Sequence, residues 1–106
     1  MNINNFLNGW IVGDFEPSLI KSKDIEIGVL DLKKGERGDG HFHLKHSEYN
    51  IILYGMAKIE NKIYNQGDIF IYLPKEKSHV EYLEDTKLLV IKTPSTKNDK
   101  YYESKH

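Results

Sequence analysis

Two histidines one residue apart, His41 and His43, are the first side chains of this chain that could do chemistry together. In a β-strand that spacing puts both imidazoles on one face, about 6.6 Å apart along the chain, close enough to converge on one ion. Glu48 opens the next apolar run, and His79 follows a later strand and turn, so a carboxylate and a third imidazole can join them. Three nitrogens and one oxygen suit one divalent transition metal per chain: zinc, iron, manganese, nickel or copper. The chain has no cysteine, which excludes disulfides, thiolate catalysis and cysteine-ligated zinc or iron–sulfur sites. His46 falls in the turn between two strands and is expected to stay in solvent.

Strands must position these residues, because the apolar residues alternate or cluster in short β-branched runs and never hold a helical rhythm. Runs at 24–32, 48–54, 56–60, 63–64, 68–73, 79–83 and 87–92 are separated by turn chemistry, with Asn61-Lys62 expected at a two-residue hairpin turn. Short strands so regularly punctuated indicate an all-β, antiparallel sandwich or small barrel. A length of 106 residues allows one domain. Fifteen basic against sixteen acidic residues leave a net charge of -1, so nucleic acid is not an expected partner. No apolar run approaches a bilayer span, so no membrane partner is expected, and the first ten residues lack the pattern of a secretory signal, which points to the cytoplasm.

Side-chain parity extends the site. Glu81 should share the inner face of its strand with His79, and Asn50 that of Glu48. An inward Glu81 would be a general base, with Tyr72 as a second catalytic group. Tyr54 and Tyr64 could offer hydroxyls to a polar ligand. Arg37, the only arginine, lies in the Gly-rich approach to the histidines and could clamp a phosphate or carboxylate at two points.

The chain resembles the cupins. Gly35, His41, His43, Glu48 and Gly55 match the spacing of their first motif, and Gly67, Pro74 and His79 fit the second. Glu76 and Leu83 replace an expected Gly and Asn, and one extra residue separates Gly67 from Pro74. The resemblance implies a double-stranded β-helix, a jelly-roll barrel, over residues 24–93 with the metal in its interior. It leaves 1–23 as an extended segment packing on the barrel or on a dimer partner, and 94–106 as a solvated tail. It also implies a homodimer, for which Trp10, Phe15 and the flanking isoleucines are the available apolar material. A faint similarity to small bacterial cupins of surface-carbohydrate pathways favours a metal-dependent isomerase or epimerase acting on a sugar derivative, with the ion as Lewis acid. An iron(II) dioxygenase and a non-catalytic small-molecule binder use the same ligands.

Overall fold

The computed structural model describes the backbone of residues 1–96 and 101–102, and all of their side chains except those of 39–41 and 101–102. Among the described residues the only helical element is a 3-10 turn, Ile3–Asn5, and the rest is strand and turn. The strands are β1 (Trp10–Gly13), β2 (Ile20–Lys21), β3 (Glu26–Leu32), β4 (Arg37–Phe42), β5 (Ser47–Tyr54), β6 (Met56–Ile59), β7 (Lys62–Asn65), β8 (Ile69–Tyr72), β9 (Ser78–Tyr82), β10 (Thr86–Thr93) and β11 (Tyr101–Tyr102). They form two sheets, in the orders β2-β1-β3-β10-β5-β8 and β11-β4-β9-β6-β7. All the pairings are antiparallel except that of β1 with β2. The all-β jelly-roll architecture expected from the sequence is the observed one.

β10 is the seam of the larger sheet. It pairs along its whole length with β3 on one side and β5 on the other. Its even-numbered residues Thr86, Leu88 and Val90 are buried, and across the register Ile52 and Asn50 on β5 are buried with them. Phe70 of β8 and Ala57, Val80 and Tyr82 of the facing sheet complete the core. The Gly55 corner shows why this motif position is glycine. Its φ is +108°, and a Cβ there would overlap Thr86, whose hydroxyl accepts from the Met56 amide at 3.1 Å and donates to the Glu84 carbonyl at 2.9 Å.

One local expectation needs correction. The β6–β7 hairpin turns at Glu60-Asn61, one residue before the expected place, because Ile59 pairs with Lys62; Glu60 takes the left-handed φ of 55°. The stretch 1–23 contributes β1 and β2, and Trp10, partly buried, packs against the monomer's core where Gly28 leaves room for its ring. Phe15 folds back on Gly13. At the start of the C-terminal stretch Ser95 Oγ accepts from the Asp14 amide and donates to Glu26, and β11 pairs with β4; residues 97–100 and 103–106 lie outside the described residues.

The seam predicts where truncation costs most. Leu88 is 2% exposed, so Leu88→Ala should lower unfolding stability by about 2–5 kcal/mol in urea titrations. Ile63→Ala, on the outer face of β7 where Ile63 is 42% exposed, should stay within about 0.5 kcal/mol of wild type.

Candidate functional site

Between the two sheets lies a cavity of about 520 Å³, within the range of about 300–1,000 Å³ common for small-molecule sites. The even-numbered residues of β5, β8 and β10 form one wall, with Glu48 and Asn50, Tyr72, and Lys92 pointing inward in step with the buried core. On the opposite wall Ser78, Val80 and Tyr82 of β9 face in.

His43 reaches this cavity from just beyond the end of β4, at the start of the connection to β5. Its carbonyl accepts a hydrogen bond from the Lys75 amide, which ties that connection to the turn before β9. The ring is buried, and its Nε2 stands 3.5 Å from Glu48 Oε2. Two donors held about 2.1 Å from one tetrahedral ion are about 3.4 Å apart, so this pair fits two corners of a coordination shell. His46 packs its ring against His43, with centroids 3.9 Å apart, and its Nδ1 lies 2.8 Å from Thr96 Oγ1. The expectation of a solvent-exposed His46 is therefore overturned: it is 3% exposed and supports His43 from behind. The contact with Thr96, fifty residues away along the chain, gave no local signal.

His79 is not with them. It is exposed and lines clefts on the outer side of the smaller sheet, together with Lys58, Glu60 and Glu81. The reason is the alternation of β9: burying Val80 and Tyr82 turns His79 and Glu81 outward and puts Ser78 at the cavity. Glu81 does share a face with His79, but it is the outer one, where it accepts from Arg37 Nη1 at 3.4 Å in a largely exposed ion pair. The side chain of His41 lies outside the described residues. Its backbone stands opposite Ser78, because a bulge between Asp39 and His41 skips Gly40. Among the described residues no three His, Asp or Glu side chains come together at metal-binding spacing; His43 and Glu48 are the two that fit.

Asn50 is buried on the cavity wall, its amide donating to the Phe70 carbonyl at 3.4 Å. Arg37 straddles the rim between the cavity and the outer cleft. Tyr64 packs edge-on against Phe70 and lines a neighbouring outer cleft rather than the cavity. Tyr54 is turned outward beneath Lys87 and cannot reach a ligand inside. Sequence reasoning missed Lys92, whose Nζ lies 4.6 Å over the Trp10 ring. The parity of Leu88, Val90 and Lys92 was the available signal.

Tyr72 contributes a hydroxyl that is buried without a hydrogen bond of good geometry. Burial pushes its pKa up, an effect only partly offset by the nearby Ser78 side chain and His79 backbone, and Glu48 adds to the rise. Burial also pushes Tyr82 up, again reinforced by Glu48. Both phenols therefore keep their protons at neutral pH. Since their folded pKa values lie above the ordinary 10.0, the stability they confer is complete below pH 10 and is lost as pH rises through the folded values. Urea midpoints measured from about pH 9 to about pH 11 should fall for wild type and fall less for a Tyr72→Phe/Tyr82→Phe variant.

No protein-family model and no curated protein matches the chain. Solved structures do. An uncharacterized conserved protein with a double-stranded beta-helix domain from Klebsiella pneumoniae superposes with a TM-score of 0.65 at 15% identity, over 99% of this chain and 96% of that one. A sugar phosphate isomerase from a cupin superfamily, from Silicibacter pomeroyi, gives 0.60 at 16% identity over 77% and 58%. Bacillus subtilis oxalate decarboxylase, a protein with Mn(II) centers, gives 0.65 at 18% identity over 76% of this chain, which spans about a quarter (24%) of its length. At these identities the likeness is one of fold. With its two facing sheets enclosing the His43–Glu48 pair, the chain has the double-stranded β-helix fold of these structures.

Proposed function

We propose that this cupin binds one divalent transition metal per chain, zinc, iron, manganese or nickel, through His43 and Glu48, and that it acts on a small oxygen-rich molecule in the cytoplasm. The reading favoured is a sugar or sugar-derivative isomerase or epimerase. The carrying observation is the inward His43–Glu48 pair, 3.5 Å apart, beside a phenol with no hydrogen-bond partner of good geometry. His41 is the further ligand, a role that rests on sequence spacing. His79 has no part in the site. Similarity in fold to a sugar phosphate isomerase and to a protein with Mn(II) centers supports the reading.

When bound, the ion supplies Lewis acidity at a carbonyl or an adjacent hydroxyl. The chain does the rest. Tyr72, protonated and short of a partner, donates a hydrogen bond or a proton to a substrate oxygen. Asn50 offers a fixed amide at the wall, and Lys92 and Arg37 supply positive charge at the cavity wall and its rim for a carboxylate or phosphate. With Glu81 outside, the proton acceptor is Glu36, the other carboxylate lining the cavity. That outward Glu81 favours a second reading, a binding module in which the same ion and cavity hold a ligand without turnover.

Calorimetric titration with Mn(II) or Zn(II) should give one site per chain. Glu48→Gln and His43→Ala should abolish it, while His79→Gln should leave it intact; loss of binding in His79→Gln alone would overturn the ligand assignment. In a screen of phosphorylated and nucleotide-linked sugars, turnover should be chelator-sensitive and should drop roughly 10²–10⁴-fold in Tyr72→Phe, with metal stoichiometry unchanged. Stoichiometric metal with no turnover of any sugar would mean the binding module, and oxygen uptake restricted to the iron(II) form would mean a dioxygenase.

A further inference from the structure

Among the described residues Lys92 is the only lysine that lines the cavity, and its surroundings are unusual for an ammonium. The register places Glu26 of β3 on one side of it and Glu48 of β5 on the other. A lysine between two carboxylates ordinarily pairs with one of them. Lys92 pairs with neither: among the described residues its ammonium stands instead over the Trp10 ring, 4.6 Å from the centroid. Both carboxylates are engaged elsewhere, Glu26 by the Ser95 hydroxyl at 3.0 Å and Glu48 by the His43 ring at 3.5 Å.

The ring under the ammonium is itself a built feature. Trp10 stands opposite Gly28 across the β1–β3 register, and a Cβ at Gly28 would come within 2.5 Å of the ring atom Cε3. Bare backbone therefore seats the indole, and the indole seats the ammonium by attraction between the cation and the electron-rich ring face. A long side chain with many rotamers is thereby held at one place in the wall. Trp10 lines the cavity too, so β1, which precedes the barrel in the chain, completes the site.

We infer that Lys92, seated on Trp10, determines which ligand the cavity accepts, and that the group it selects is a carboxylate. The inference rests on the reading of this cavity as a small-molecule site and narrows that reading; it depends neither on a metal nor on turnover. A positive charge without a counter-ion in a partly enclosed space draws an anion to itself. Arg37, the other cation at the cavity, sits at the rim and is engaged by Glu81 at 3.4 Å, so the inner wall offers a single positive charge. A carboxylate carries one negative charge and matches it. A phosphate monoester carries about 1.5–2 at neutral pH, and the excess would stand against Glu36 and Glu48, which line the same space. The Tyr72 hydroxyl and the Asn50 amide, on the same wall, are then left for hydroxyl or carbonyl groups, which makes the ligand class a small hydroxy- or keto-acid, sugar acids included.

Trp10 is the only tryptophan, so its fluorescence reads the seat directly in chelator-treated protein. Iodide, an anion, and acrylamide, a neutral molecule, both quench an accessible indole. Iodide quenching should fall about threefold in Lys92→Met, the effect of one unit charge at contact distance in screened water, while acrylamide quenching stays the same. Lys92→Arg should restore it, and Lys87→Met, whose lysine lies over Tyr54 on the outer face of the same strand, should leave it unchanged. At constant ionic strength glucuronate should protect wild-type Trp10 from iodide, glucose should not, and glucose 6-phosphate should protect less than glucuronate. Equal iodide quenching in wild type and Lys92→Met, no protection by glucuronate, or protection by glucose 6-phosphate that matches that of glucuronate would overturn the proposal. Because no metal is present, a failed metal assignment leaves these readings standing, and their failure leaves the metal assignment standing.

Discussion

The alternation of side chains along β10 is the constraint on which the rest of the structure depends. Because β10 is hydrogen-bonded along its length to both β3 and β5, its parity is imposed on its neighbours, and a slip of one residue would exchange every inner side chain for an outer one. Leu88 and Val90, almost fully buried, hold that register. Lys92, two residues further on, is then carried into the cavity, and Asn50 and Glu48 follow on β5. Polar groups enter the barrel because the strands that bear them are locked elsewhere by apolar burial.

A carboxylate placed this way needs compensation. Glu48 is only 13% exposed at its side chain, and an isolated buried charge would cost far more than one hydrogen bond returns. The structure brings the His43 ring to it, with His46 packed against that ring. It also surrounds Glu48 with Tyr72 and Tyr82, phenols that stay neutral beside it. A divalent ion at the same point would satisfy Glu48 more fully than the imidazole alone does. The His43–Glu48 separation is consistent with a role as ligands as well as with a hydrogen-bonded pair.

How much of this was legible in the sequence follows the same division between periodic and non-periodic signals. The strands and their β class could be read from alternation, and the placing of Asn50 with Glu48 followed directly. His79 and Glu81 lie on the outside because the apolar alternation of β9, which the motif spacing does not reflect, decides the face of that strand. Val80 and Tyr82 bury far more apolar surface than His79 and Glu81 would, and Ser78 takes the inner position at little cost. Tyr54 was misplaced by a bulge: the register of β5 on β10 shifts between Lys87 and Leu88, which puts Tyr54 opposite Lys87 on the outside. His46 was beyond reach for a different reason, since its burial depends on a chain segment fifty residues downstream.

The two faces of the larger sheet are tied together mechanically. Glu48 and Tyr49, Tyr72 and Ile71, and Lys92 and Ile91 are sequence neighbours that point to opposite sides of one sheet. β8 is an edge strand of four residues held on one side by β5, and edge strands are where local opening is least costly. Tyr72 rides on that strand. The phenol's position at the cavity therefore depends on the β5–β8 ladder and on the burial of Phe70, two residues before it on the same inner face.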